Sequence, residues 1–156
     1  MQVKRQVRKP KPERLHRAAP RSESAPARPR RAEARKRIKF RAVTAIRPGM
    51  GAVIAFARSQ VGKRYAAGGT GPSYFDCSGF TQRAYARAGI SLPHSSGGQA
   101  ARARSIPRSL ARPGDLVVGP GHVGVYMGGG MMIDAGNRRI GVVYRELYAG
   151  LHIERL

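Results

Sequence analysis

The apolar positions along this chain change rhythm twice. Up to residue 47 the few large apolar side chains, such as Val7, Leu15 and Ile38, follow no sustained period. From Met50 to Val61 the spacing is helical. Val53, Ile54, Ala57 and Val61 share one face, and Gly62 supplies a stop. A loop runs from Lys63 to Pro72. The pattern then predicts a second helix from Asp76 to Ala88, with Cys77, Phe80, Thr81, Ala84 and Ala88 on one stripe. Asp76 is a good N-cap, and Gly89 stands where a left-handed C′ residue is expected. Pro93 to Arg112 reads as a polar connection with a short helix around Gly98 to Arg104. After the turn at Pro113-Gly114 the rhythm shortens to strands. These are predicted at Asp115–Val118, His122–Met127, Met131–Ala135, Ile140–Glu146 and Leu151–Arg155, with Gly, Pro or Asn between most of them. Helices followed by strands predict an α+β fold, N-terminal helices packed on an antiparallel sheet. No internal repeat is visible.

Composition divides the chain at the same place. Residues 1–47 hold 17 of the 30 lysines and arginines and 3 of the 8 acids, and residues 48–156 hold the other 13 and 5. A basic, proline-rich segment buries too little apolar surface to offset its ordering entropy, so residues 1–47 are expected to be a disordered basic tail. Residues 48–156 are expected to form one domain. Three partners suit the tail: nucleic-acid phosphates, an anionic wall polymer or membrane surface, or solvent alone. No aromatic residue precedes Phe40, so the tail offers no platform for stacking bases, and nucleic acid is the least expected partner. No run approaches the ~18 apolar residues of a membrane span. Met1-Gln2-Val3-Lys4-Arg5 is basic like the start of a signal peptide, but no apolar stretch follows it. The single cysteine excludes an intrachain disulfide framework and a multi-cysteine zinc site.

That cysteine opens a helix, in Phe75-Asp76-Cys77-Ser78-Gly79. The helix dipole and the unpaired N–H groups of a first turn favour a thiolate and are placed to hold an oxyanion. Gly79, lacking a side chain, lets another backbone approach closely. A lone cysteine is also commonly a small buried hydrophobe, so the argument needs a base. His16 lies in the tail, His152 in the last strand, and His94 in a loop after the cysteine helix. His122 begins a strand. If Met127 pairs with Met131 across Gly128-Gly129-Gly130, His122 falls diagonal to Asp134 and on the same face. Asp134 then holds the imidazole's tautomer while the other ring nitrogen takes the thiol proton. A one-residue slip would separate the two.

At these residues the chain resembles the NlpC-type cysteine endopeptidases of bacterial cell walls, a papain-like family. The resemblance runs from about Ile54 to Leu147. It is carried by Ala57-Arg58-Ser59-Gln60-Val61-Gly62-Lys63-Arg64-Tyr65, Gly68-Gly69 and Phe75-Asp76-Cys77-Ser78-Gly79-Phe80. Leu92-Pro93-His94-Ser95-Ser96 with Gln99, then Pro113-Gly114-Asp115-Leu116 and His122-Val123-Gly124-Val125-Tyr126, continue it in order. It implies a papain-like fold, Cys77 as nucleophile, His122 as base and Asp134 in the place of a third polar residue that is usually histidine. It implies roles for Tyr65, Asp76 and Ser78 in the substrate pocket. Ala66-Ala67 depart from the bulkier residues usual there. The implied substrate is the peptidoglycan stem peptide, cut after D-γ-glutamate and before the diamino acid. No metal or organic cofactor is implied, and a monomer acting outside the cell or in the wall is expected. An N-acetylmuramoyl-L-alanine amidase, another Cys/His amide hydrolase and a catalytically silent wall-binding module remain as alternatives.

Overall fold

The computed structural model describes residues 46–156. The expectation of a disordered tail concerns residues that lie, except for the last two, outside that range. Those last two belong with the domain. Arg47 donates through Nη1 to the Leu156 carbonyl at 3.3 Å, so the domain's contacts take in a residue before 48.

Helix α1 is Met50–Ser59, and it buries Met50, Val53, Ile54 and Ala57. It is shorter than the apolar spacing implies, and Val61 lies beyond it and exposed. Gly62, at φ 89°, turns the chain away. Its N–H donates to Val142 and the Lys63 carbonyl accepts from Val142 N–H, which fastens the helix exit to a distant strand. Two short segments, β1 (Arg64–Tyr65) and β2 (Tyr74–Phe75), then pair in parallel. Helix α2 is Cys77–Ala86. Its apolar stripe packs on α1 and on the sheet. Phe80 and Phe75 meet edge to face with ring centroids 5.9 Å apart, and Phe56 meets Phe75 the same way at 6.2 Å. Such pairs add to the burial of their area. Gly89 takes φ 73° just past the helix, as expected of a C-terminal glycine.

The connection after α2 holds more structure than its polarity suggests. Helix α3 is Ser96–Ala100, starting two residues earlier than expected and capped by Ser95. Arg104–Ile106 forms strand β3. Its polar residues gave no alternation to read, and its pairing partner lies at the far end of the chain. Strands β4 (Leu116–Gly119), β5 (His122–Gly128), β6 (Met131–Ala135), β7 (Val142–Glu146) and β8 (His152–Arg155) complete one antiparallel sheet in the order β3-β8-β4-β5-β6-β7. Val123, Val125 and Ile133 point into the core beneath the helices. Val117, Tyr126, Met132 and Ile153 point the other way, into a smaller core roofed by Ala111, Leu147 and Leu151. The central strands β4, β5 and β6 are therefore covered on both faces, which is why they read as nearly continuous apolar runs.

Two tight hairpins place the histidine strand. Pro120-Gly121 joins β4 to β5, with Gly119 paired to His122 and φ 64° at Gly121. Pro then Gly at positive φ suits a type II turn. Gly129-Gly130 joins β5 to β6, both with positive φ as a two-residue type I′ loop requires. Met131 pairs with Gly128 rather than with Met127, and Met127 is the extra residue of a bulge. Beyond the bulge the register is the one anticipated, Val125 facing Ile133. Among the described residues no helix is long and apolar enough to cross a membrane.

Candidate active site

Asp76 opens α2 in extended backbone, and its Oδ1 accepts from the Gly79 N–H at 2.6 Å. This cap presents Cys77 on the first helical turn, where backbone N–H groups point outward without carbonyl partners from the helix itself. The close approach inferred at Gly79 is the Gly69 carbonyl. A Cβ on Gly79 would overlap that oxygen, which also accepts from Asp76 N–H at 2.9 Å. Beneath the same turn lies Gln99, fully buried. Its amide donates to the carbonyls of Ser78 at 2.8 Å and Pro93 at 2.9 Å, and its Oε1 accepts from Thr81 at 2.6 Å. Gln99 thus ties the nucleophile's turn to the following loop, a packing role that its sequence position alone did not indicate.

Strand β5 delivers His122 to this helix end. The Cys77 thiol stands beside the imidazole, near enough to act on its protonation, and its Sγ is 3.9 Å from the Gly121 carbonyl. The other side of the ring is held by β6, with His122 Nε2 2.6 Å from Asp134 Oδ2. Nδ1 is therefore the nitrogen left to face the thiol. Asp134 is completely buried. It sits across from Gly124, where a Cβ would lie 3.0 Å from that of Asp134. Burial alone pulls the His122 pKa down. The hydrogen bond with Asp134, the neighbouring Cys77 sulfur and the Asp134 charge outweigh it and raise the pKa to about 9.

Arg145, on β7, was not anticipated. Its Nε donates to Asp134 Oδ1 at 2.9 Å and its Nη2 to Oδ2, a bidentate clamp on the carboxylate that orients His122. Asp134 pairs with Val143 across β6 and β7, so Arg145 is its diagonal neighbour. The same diagonal reasoning that linked His122 to Asp134 would have found it, had the register of the longer Gly136–Gly141 loop been known.

The three pocket residues differ in what they offer. Tyr65 pairs in β1 with Phe75, two residues before the cysteine. Burial, then the nearby negative charge of Cys77 and Asp76, pushes its phenol pKa up, against a small pull from Arg138. Tyr65 thus stands within electrostatic reach of Cys77, with Arg138 near Tyr65. Asp76 is already fully engaged. Besides Gly79 it accepts from Gly68 N–H at 2.8 Å and lies 2.9 Å from His94 Nε2 at both oxygens. Ser78 is buried, and its hydroxyl donates to Asp76 Oδ1 at 3.3 Å. His152, left aside in the sequence, pairs with Glu154 at 2.9 Å on β8. Among the described residues no group of three or more His, Cys, Asp or Glu is arranged to hold a metal ion. The structure brings Cys77, His122 and Asp134 together, an arrangement that can act as nucleophile, base and orienting acid in acyl transfer through a thioester.

A model described as the NlpC/P60 family matches residues 62–156. The probable endopeptidase p60 of Listeria innocua is 48% identical over 102 residues, covering 62% of this chain and 21% of that protein. The chain spans about a fifth of the length of the curated p60 proteins it matches. Among solved structures, the P60 domain of an antigen from M. avium subspecies paratuberculosis superposes with a TM-score of 0.62 at 33% identity, covering 69% of this chain and 93% of that one. The peptidoglycan hydrolase RipB of Mycobacterium tuberculosis gives 0.63 at 32% identity, covering 80% and 67%.

Proposed function

The chain belongs to the NlpC/P60 family, and from that footing we propose that it is a peptidoglycan hydrolase, a cysteine endopeptidase that cleaves stem peptides between D-γ-glutamate and the diamino acid. The observation that carries this reading is the Cys77 thiol at the start of α2, beside an imidazole whose Nε2 is held 2.6 Å from a buried carboxylate. The peptidoglycan substrate is supported by the similarity to RipB, itself a peptidoglycan hydrolase.

The thiolate of Cys77 attacks the amide carbon. The Cys77 N–H, at the first helical position, and a second donor hold the oxyanion. His122, as imidazolium, gives its Nδ1 proton to the leaving amine, and the neutral ring then takes a proton from the water that releases the acyl group. Asp134 keeps the ring in one orientation through both transfers. Tyr65 is the pocket residue best placed to meet substrate, because Asp76 and Ser78 already satisfy one another and the turn around them.

The basic segment is read as an electrostatic hold on an anionic wall polymer or membrane surface. The folded part continues that charge. Arg58, Arg64, Arg83, Arg87, Arg102 and Arg104 are exposed, whereas Asp115 and Asp134 are buried and Asp76 is largely enclosed. Such a hold acts outside the membrane, at the wall.

The test is mass spectrometry of purified peptidoglycan fragments after incubation with the full chain, with Cys77→Ala as control. Fragments ending in D-γ-glutamate, made by the intact protein alone, are expected. A stem with a free L-alanine amino terminus would reassign the protein as an amidase. No cleavage, with retention on the wall, would make it a binding module.

A further inference from the structure

We propose that Arg145 is a positioning residue of this site, which aims the Asp134 carboxylate at His122 with its fork and limits with its charge how firmly His122 keeps its proton. The proposal rests on the reading of Cys77 and His122 as nucleophile and base.

The geometry points to a shared oxygen. Asp134 Oδ2 accepts from both His122 Nε2, at 2.6 Å, and Arg145 Nη2, while Oδ1 accepts from Arg145 Nε at 2.9 Å. The carboxylate plane is thereby pinned by a planar fork that a single-point cation does not reproduce. A completely buried carboxylate facing only a histidine would be a charge without a permanent counter-ion. Arg145 supplies one that does not titrate, so the pull of Asp134 on the imidazolium is divided between two cations. The surroundings keep the arm in place. The Arg145 guanidinium lies 4.8 Å from the Tyr148 ring centroid. Gly136 has no side chain where a Cβ would stand 3.1 Å from Nη2. The charged and titratable groups facing His122 are Cys77 from α2 and Asp134 from β6, with Arg145 from β7 behind the latter. Beyond Cys77 lies Tyr65, which Cys77, Asp76 and Arg138 act on in turn.

Charge and shape separate in two variants. Arg145→Lys keeps the charge and loses the fork. Arg145→Met loses both at similar length. The full chain and each variant are assayed for the pH dependence of Cys77 alkylation by iodoacetamide, which needs no substrate, and for peptidoglycan turnover. In Arg145→Lys the alkaline limb, where His122 loses its proton, is expected to stay in place while turnover falls about tenfold from misaimed geometry. In Arg145→Met the limb is expected at higher pH, because the whole Asp134 charge now falls on His122, with a larger loss of turnover. A residue that only braced the fold would lower stability without moving the limb. A folded Arg145→Met with the wild-type limb overturns the proposal. If that variant does not fold, wild-type turnover in Arg145→Lys overturns it. A wild-type profile matching that of His122→Ala would instead overturn the nucleophile and base assignment beneath it.

Discussion

His94 lays its Nε2 across both oxygens of Asp76, 2.9 Å from each. The residue that caps the nucleophile's helix is therefore also the anchor of the loop that follows that helix. Burial pushes the Asp76 pKa up, but hydrogen bonds from Gly79, His94 and Gly68 outweigh it and hold the pKa below the ordinary carboxylate value. A depressed folded pKa contributes stability above the unfolded value of ~3.9 and loses it as pH falls through the folded one. Asp76→Ala is expected to cost about 1–2 kcal/mol, the usual worth of such a cap. Asp76→Asn should cost less, since it keeps an accepting oxygen. Urea unfolding at neutral pH and in mild acid measures both. A wild-type midpoint in Asp76→Ala would show that the cap is not needed to hold the turn.

Replacing Cys77 by Ala should abolish turnover and leave the melting temperature nearly unchanged, because the side chain is only partly buried at a helix start. His122→Ala should cost more activity than Asp134→Ala, since Asp134 acts through the ring it holds. The comparison of kcat for the three variants checks the order. The reverse order would mean that Asp134 does more than orient.

The raised His122 pKa has a second consequence. A group raised in the folded state stabilises fully below its unfolded value of ~6.5. That stabilisation is lost as pH climbs through about 9. The wild type is expected to lose on the order of 3 kcal/mol across that window beyond whatever His122→Ala loses. Turnover should decline over the same upper limb, as the leaving amine loses its acid. Denaturant midpoints and kcat/KM at several pH values from about 6 to 10 give both curves. Parallel stability curves for the two proteins would remove His122 as the source.

Gly79→Ala places a Cβ into the Gly69 carbonyl, a backbone atom that cannot swing aside. The loop from Gly68 to Asp76 would have to shift, carrying Tyr65 and Asp76 away from Cys77. Overpacking of this kind costs about 1–3 kcal/mol. The variant is expected to fold with a lower melting temperature and strongly reduced turnover. Wild-type activity would show that the close approach is not needed to shape the site.

The parts of this protein legible in its sequence are those governed by short-range rules. Asp76 before Cys77 is a cap written in four consecutive residues. Gly62 and Gly89 mark helix exits because only glycine accepts their positive φ without cost. His122 and Asp134 could be matched because a short glycine-rich loop joins their strands and side chains alternate. Even the bulge at Met127 left the pairing near His122 intact.

What the tertiary structure alone decided involves partners far apart along the chain. Arg145 reaches Asp134 only once the β6–β7 register is set by a loop with no short turn signal. Arg104–Ile106 becomes a strand because β8 lies beside it. Gln99 looks like a polar surface residue until α2 and the following loop close over it. Ser78 and Asp76 look available until their hydrogen bonds turn them toward each other. Composition, caps and periodicity determined a helix-then-sheet domain with one cysteine at a helix start and a histidine opening a strand near its aspartate. Which carboxylates are compensated, and by which arginines, was decided by burial, because a charge removed from water must find its partner wherever the fold places one.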